Sequence, residues 1–157
     1  MARASSFDPY RTFKFRVRLD GRVIAGVRKV SALARSVAPT EVKEAGDALG
    51  ARLMPGPVSW DEVTLEQGWS ADTTLERWAD EVIHLHLNPG GARGFKRTVF
   101  IDVFDLAGSA GSGTPQTSWR LERAWVARYV AMPELDADAG GVGIRSVSLR
   151  HEGFERV

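Results

Sequence analysis

The sequence contains no cysteine, which excludes disulfide bonds, thiolate nucleophiles and cysteine-ligated metal sites. It contains only three histidines, His84, His86 and His151. His84 and His86 are two residues apart in a predicted helix, so their side chains point to different faces and do not share a metal ion. The sequence therefore predicts no metal and no cofactor.

Long apolar runs are also missing, and none approaches the length of a membrane span. Residues 1–15 lack the apolar core of a signal peptide. These two absences predict a protein without a membrane anchor that is made and assembled in the cytoplasm.

The chain has almost no net charge, +1 at pH 7, which gives no global reason to expect nucleic acid as a partner. The distribution is uneven. Residues 1–35 carry nine basic and two acidic side chains, whereas residues 36–90 carry three basic and ten acidic side chains. A basic first part and an acidic middle can attract each other within one subunit or between stacked copies, and the sequence favours neither interpretation.

Catalytic motifs are absent as well. No serine lies in a Gly-x-Ser-x-Gly elbow, and the glycine-rich stretch Gly108–Gly113 lacks the Gly-Lys-Ser/Thr end of a phosphate loop. Asp102 and Asp105 are three apart on a predicted strand and face opposite ways, so they make no acid–base pair. An enzyme is not predicted.

Alternating apolar and polar residues dominate what is present. About seven stretches of this kind, such as Tyr10–Leu19 and Ser118–Val130, predict strands joined by hairpin turns. They predict a mainly β fold, an antiparallel sandwich or barrel, in a single domain over residues 1–157. Residues 1–9 are predicted as a flexible lead. Residues 45–57, with three glycines and two prolines, are predicted as a long loop.

One segment, about residues 71–87, predicts a flanking α-helix. Ser70 or Asp72 is expected to cap its start. A single apolar stripe at helical spacing is predicted from Leu75, Trp78, Ala79, Val82, Ile83 and His86.

Five tryptophans leave a second function open. Trp60 or Trp119, if exposed, could stack on a sugar or a peptide in a monomeric β-sandwich ligand-binding module. Packing in the core or at an interface is the more common role of such residues and is favoured here.

A set of ordered motifs resembles one known family. The set begins with Asp8-Pro9-Tyr10-Arg11-x-Phe13-x-Phe15 and includes Leu53-Met54-Pro55-Gly56, Val63-Thr64-Leu65-Glu66-Gln67-Gly68 and Asp72-Thr73-x-Leu75-x-x-Trp78. It ends with Ala124-Trp125-x-x-x-Tyr129 and with Ile144-x-Ser146-Val147-x-Leu149-x-His151-Glu152-Gly153-Phe154. In order and spacing these motifs resemble the tail tube proteins of contractile-tailed phages and of extracellular contractile injection systems.

The resemblance implies a structural protein and no enzyme. In the family, six subunits join their sheets into a ring whose lumen is a β-barrel, and rings stack into a rigid tube inside a contractile sheath. The implied partners are further copies of the chain, the sheath protein, baseplate or tube-initiator and terminator proteins, and a tape measure or cargo in the lumen. The tube proteins of type VI secretion share this fold.

The resemblance also suggests where contacts lie. Ring or stack contacts are expected in the 45–57 segment, at Gly46, Asp47, Leu49, Arg52, Leu53, Met54, Pro55 and Gly56. Contacts with the sheath or a neighbour are expected on the outer helix face, at Glu76, Asp80 and Glu81. Candidates for the lumen surface are Lys14, Arg16 and Arg18.

Overall fold

Ten strands and one helix form the part of the chain that the structure describes. This computed structural model describes residues 14–46, 50–87, 94–104, 114–141 and 143–157, so the predicted lead at residues 1–9 lies outside it. The elements are β1 (Lys14–Leu19), β2 (Arg22–Ile24), β3 (Val27–Val30), β4 (Arg35–Val42), β5 (Arg52–Trp60), β6 (Val63–Gly68), α1 (Thr74–Leu87), β7 (Arg97–Phe104), β8 (Thr117–Val130), β9 (Ile144–Arg150) and β10 (Phe154–Arg156). Every strand pair is antiparallel. The predicted antiparallel β fold with one helix is confirmed.

The main sheet curls back on itself at a two-residue corner. Its strand order is β2-β1-β7-β8-β9-β6-β3, with β10 also paired to β8. The strands at the two ends of this order, β2 and β3, are joined directly by Ala25 and Gly26. Gly26 has a φ of +77°, a conformation that glycine adopts at little cost, and its carbonyl accepts a 3.1 Å hydrogen bond from the Gly68 N–H. The result is the barrel-like body predicted from the sequence.

Strand β8 forms the opposite corner. Arg123 lies at the bend with a φ of +49°, and the Glu122 N–H donates to the Gly153 carbonyl at 2.8 Å. The first half-sheet therefore consists of β1, β2, β7, β10 and residues 117–122 of β8. The second half-sheet consists of β3, β6, β9 and residues 125–130 of β8.

One apolar core joins both half-sheets to the helix. Val17 and Ile101 come from the first half-sheet, Leu65 and Leu149 from the second, and Trp78 from α1. Trp78 is fully buried, and its indole N–H donates to the Phe95 carbonyl at 2.7 Å. Burying one such side chain contributes roughly 2–3 kcal/mol to folding. The helix is thus part of the core and closes one side of the body.

The helix begins at Thr74, three residues later than predicted, because Asp72 caps it from outside. The Asp72 carboxylate accepts the Thr74 N–H at 2.9 Å and also the Ala25 N–H at 2.9 Å, so one side chain joins the helix start to the sheet corner. Hydrogen bonds to the carboxylate, first from the Thr74 hydroxyl and then from the Ala25 N–H, lower the pKa of Asp72.

The predicted apolar stripe is correct except at its far end. Leu75, Trp78 and Ala79 are buried, but Ile83 is 58% exposed. At 3.6 residues per turn, Ile83 lies about 90° from the centre of the stripe, which places it at the margin of the packed face. The side chain of His86 lies outside what the structure describes.

The prediction of a loop over residues 45–57 is wrong for its second half, because β5 begins at Arg52. Strand β5 pairs with β4 from Arg35↔Trp60 to Val42↔Arg52. Prolines and glycine suggest a loop, yet a two-stranded ribbon tolerates proline. Each of its strands has one outer edge whose backbone N–H groups bond to no partner strand, so a residue without an N–H group can lie there. We call β4 and β5 together the arm.

Candidate assembly surfaces

The arm continues two strands of the body beyond its edge. The Ser31 N–H donates to the Thr64 carbonyl at 2.9 Å, and the Asp61 N–H donates to the Ala34 carbonyl at 3.0 Å. These bonds carry the pairing of β3 with β6 onward into β4 and β5. Among the described strands, β4 and β5 pair only with each other. The arm therefore projects as a ribbon with both outer edges unpaired.

One face of the arm is apolar. The register places Val37 opposite Val58, Pro39 opposite Pro55, and Glu41 opposite Leu53. Since side chains alternate along a strand, these six side chains share one face, and all of them except Glu41 are apolar. Val58 is 51% exposed and Leu53 is 68% exposed. An apolar row this exposed on a narrow ribbon indicates a surface that another molecule covers.

Gly56 allows the arm to form a bulge at its centre. The register shifts between Val37 and Pro39, where two residues of β5 oppose one of β4. A Cβ on Gly56 would lie 2.5 Å from the Ala38 carbonyl oxygen and 2.5 Å from the Thr40 hydroxyl, which is too close for any side chain. Gly56 is thus required by the backbone of the arm.

An aromatic cluster holds the root of the arm. Trp60 at the end of β5 packs edge-on against Phe154 with ring centres 5.2 Å apart, and Trp119 packs against the same ring at 5.9 Å. His151 lies 6.0 Å from Trp60, and its Nε2–H donates to the Asp61 carbonyl at 2.9 Å. The two tryptophans considered as ligand platforms therefore contact the body of the same chain.

The structure brings most of the predicted ring or stack contacts together on or beside the arm. Arg52, Leu53, Met54, Pro55 and Gly56 lie within β5, and Gly46 is exposed after the end of β4. Asp47 and Leu49 lie outside the described residues. The role of these residues as ring or stack contacts stays a prediction, and the strand that carries most of them was not predicted.

The predicted acidic helix face is partly occupied by contacts within the chain. Glu81 pairs with Arg97 of β7, and Glu76 lies 3.7 Å from Arg145 of β9. The Arg145 guanidinium also donates to the Ser70 carbonyl at 3.0 Å. Asp80 is exposed and has no ion pair within the described ranges, so it is the acid of this face that remains open to a partner.

The basic row on β1 is arranged around a buried acid. The Nε atoms of Arg16 and Arg18 each lie 2.7 Å from Asp102 Oδ2 on β7, and the Ser118 hydroxyl donates to Oδ1 at 2.7 Å. Asp102 is 0% exposed. Burial alone would raise the pKa of Asp102, but hydrogen bonds from Arg18, Arg16 and Ser118 outweigh it and hold that pKa below its ordinary value.

The same arginines are also fixed by aromatic rings. The Arg18 guanidinium lies 4.7 Å from the centre of the Phe100 ring, and that of Arg16 lies 5.0 Å from the centre of Phe104. Asp102 is a position whose role the sequence pattern does not predict, since its partners lie 84 and 86 residues away. The sequence offers one signal for such a role, because Asp102 is a single acidic residue within the otherwise apolar segment Val99–Phe104.

Neither a metal-binding cluster nor a membrane-spanning helix occurs in the described part of the chain. No group of three or more His, Asp or Glu side chains there could hold a metal ion. No helix within the described ranges is long and apolar enough to cross a membrane.

Comparison with known families identifies the kind of protein. A model of the T4-like virus tail tube protein gp19 family matches residues 11–155. The chain belongs to this family. It is therefore a structural tube subunit, a component of a phage tail or injection particle, as the motifs predicted. The family is one of structural proteins rather than of enzymes.

Solved structures show the same fold as this tail tube protein. A chain of the anti-feeding prophage baseplate is 20% identical, with a TM-score of 0.74 and coverage of 96% of each chain. A chain of an extracellular contractile injection system, in the PVC sheath–tube complex in its extended state, is 20% identical with a TM-score of 0.76 and covers 97% of this chain and 93% of its own. Hcp1 from Flavobacterium johnsoniae is more distant, at 12% identity and a TM-score of 0.50, over 92% and 94% of the two chains. No curated protein sequence matches the chain significantly.

Proposed function

We propose that this tail tube protein forms six-membered rings that stack into a hollow, rigid tube, which a contracting sheath drives through a target envelope. The observation that carries the proposal is the arm. It is a ribbon of two strands whose apolar face is exposed and whose outer edges have no partner among the described strands. In a monomer such a surface would promote aggregation, whereas in an assembly a neighbouring subunit can cover it.

A second feature supports lateral joining of subunits. Residues 125–130 of β8 pair with β9 on one side, but no described strand pairs with their other side, where β7 ends at Arg97↔Ala124. Strand β3 has a partner, β6, on one side only. Open edges at the two ends of one half-sheet allow a neighbour to extend it on each side. Six copies joined in this way would leave neither of these two edges unpaired.

Further partners follow from the tube itself. The solved relatives belong to a baseplate, a sheath–tube complex and a tube-terminating cap. By analogy we expect a sheath around this tube, initiator and terminator proteins at its ends, and a tape measure or cargo inside. Asp80 is the outer helix residue best placed to contact the sheath or a neighbour, and assembly in the cytoplasm is expected.

Light scattering and negative-stain microscopy of the purified full chain test the proposal. We expect sixfold rings or stacked tubes whose length increases with protein concentration. A species that stays monomeric across concentration and salt, with no rings on the grid, would contradict it.

An armless variant provides a folded reference for these measurements. Ser36 and Ser59 are paired in register across the ribbon. Replacing residues 37–58 by Asn-Gly would close the hairpin with a two-residue turn at that pair. The aromatic root at Trp60 and the whole body remain in this variant.

A further inference from the structure

We propose that the loop between β8 and β9 of one subunit docks into an apolar groove at the opposite end of a second copy, and that this contact helps to join successive rings. The inference deepens the proposed function and rests on it. The contact is distinct from the arm, because neither of its two surfaces contains a residue of β4 or β5.

The groove lies between the first half-sheet and the segment that leads from β3 into the arm. Its volume is about 460 Å³, and five of the side chains that line it are apolar and large, namely Phe15, Leu33, Ile101, Trp119 and Phe154. Phe15, Leu33 and Phe154 are only partly buried, although they pack against the core. The groove therefore presents apolar surface that a further side chain can cover.

Two basic side chains stand at the rim of this groove. Lys14 lines it directly. Arg156 is paired in register with Trp119, and it lies on the same side of β10 as Phe154 because side chains alternate along a strand. Arg156 is exposed and has no ion pair within the described ranges. An apolar segment that carries acids would therefore fit the groove and its rim.

The loop between β8 and β9 has this complementary character. Met132 is 59% exposed and Leu135 is 61% exposed, so two large apolar side chains project from one short segment. Three exposed acids, Glu134, Asp136 and Asp138, lie beside them, and none has an ion pair in the described part of the chain. Apolar side chains and charges of the loop thus match those of the groove in kind and in sign.

The loop and the groove lie at opposite ends of the second half-sheet. Ser31, which lines the groove, donates its N–H to the carbonyl of Thr64 near the start of β6. At the other end of β6, Gly68 pairs with Ile144, the residue at which the loop enters β9. Strand β6 has six residues, or about 20 Å, between these ends. Complementary surfaces at opposite ends of one subunit meet when copies stack head to tail.

The cysteine-free sequence allows a direct test by disulfide formation. Lys14→Cys with Leu135→Cys places one thiol at the rim of the groove and one on the loop. Under mild oxidation, we expect tubes of this double variant to give a ladder of covalent multimers in a denaturing gel, because each copy joins the next at both ends. Each single variant should remain monomeric in the gel.

Lys14→Cys with Ile83→Cys is the matched control. Ile83 is 58% exposed, much like Leu135, but it lies on the helix, so this pair should give no ladder. A control pair that crosslinks as readily as the loop pair would overturn the assignment of the contact, and so would the absence of a ladder in tubes of the loop pair.

Leu135→Asp tests the apolar part of the contact. Single rings and the free energy of unfolding should be nearly unaltered, since Leu135 is exposed in the subunit. The protein concentration needed for rings to stack should rise at least about tenfold, because the contact loses the burial of one leucine side chain. Normal stacking of this variant would contradict the proposed docking.

A charge exchange tests the polar part. Glu134→Lys and Arg156→Glu should each shorten the tubes, and the two changes together should restore them, because the exchange returns opposite charges to the contact. Two additive losses without rescue would show that these charges do not meet.

The parent chain separates this inference from the proposed function. Tubes that form while the loop pair gives no ladder would overturn the groove contact alone. Failure of the parent chain to form rings or tubes would overturn the proposed function, and the groove contact with it.

Discussion

The body buries Trp78, Leu65 and Leu149 completely, whereas the arm leaves Leu53 and Val58 more than half exposed, although both regions are built from antiparallel strands. In the body, apolar side chains from the two half-sheets and the helix stabilise one another. In the arm, the apolar face packs on nothing that belongs to the described chain beyond its root at Trp60. We therefore expect the body to fold on its own contacts and the apolar face of the arm to be covered by another molecule.

This difference separates two kinds of substitution. Changes in the body should lower the free energy of unfolding and affect assembly only through folding. Changes on the arm should leave that free energy nearly unaltered and act on assembly directly. Three variants test this separation, in order of decreasing effect on stability.

Trp78→Ala should lower the free energy of unfolding the most. It removes a fully buried indole and its 2.7 Å hydrogen bond to the Phe95 carbonyl, and we expect a loss of about 3–5 kcal/mol in urea unfolding. Ile83→Ala on the same helix is the matched control, because Ile83 is largely exposed, and it should change stability by less than about 0.5 kcal/mol. If Trp78→Ala lost as little unfolding free energy as Ile83→Ala, the helix would not be part of the core.

Asp102→Asn should have the next largest effect and lower the free energy of unfolding by roughly 2–3 kcal/mol. It leaves Arg16 and Arg18 without their shared carboxylate, and the loss is moderated because both guanidinium groups are partly exposed to water. Asp80→Asn, at an exposed acid without an ion pair in the described chain, should cost almost nothing. A neutral result for Asp102→Asn would contradict the bracing role of this cluster.

The same cluster predicts a pH dependence of stability. The folded-state pKa of Asp102 is lowered from 3.8, so its contribution is complete above that pH and is lost as pH falls through the lower folded-state pKa. The gap in unfolding free energy between the parent and Asp102→Asn should therefore narrow below pH 3.8. A gap that stays constant into strong acid would mean that folding does not lower the pKa of the Asp102 carboxyl.

The double substitution Leu53→Asp with Val58→Asp should have the smallest effect on stability, within about 0.5 kcal/mol. It puts two charges on the apolar face of the arm, where burial in an interface becomes costly, so rings and tubes should be lost in negative stain. Ser36→Asp, on the opposite face of the ribbon, should still assemble. If the double variant forms normal tubes, the apolar face is not the contact surface.

The sequence predicted what depends on local periodicity. Lys14–Leu19 alternates and forms β1, and the spacing of Leu75, Trp78 and Ala79 placed the buried side of the helix. Residues 52–57 of the arm were mistaken for part of a loop because prolines and glycine usually interrupt strands, and only the pairing of Pro39 with Pro55 and the close approach at Gly56 explain their presence. Leu53 and Pro55 of its apolar face were nevertheless named as contact residues, since the motif Leu53-Met54-Pro55-Gly56 carried the resemblance, and their role as contacts stays a prediction.

Contacts between distant parts of the chain could not be predicted. The basic row on β1 was predicted as a candidate lumen surface, but Asp102, which lies 84 and 86 residues away along the chain, holds Arg18 and Arg16 in a cluster. Glu76 and Glu81 looked equivalent to Asp80 on the helix, yet Arg145 and Arg97 engage the first two. Periodicity gives the face of a side chain, while its partner depends on which strands become neighbours.

The armless variant, with residues 37–58 replaced by Asn-Gly, tests the central claim most directly when its sedimentation is compared with that of the parent. We expect the parent to sediment as rings or tubes and the variant to sediment as small folded species with an unchanged unfolding free energy. Tubes formed by the armless variant, or an armless chain that no longer folds, would contradict the division of the molecule into a self-sufficient body and an assembling arm.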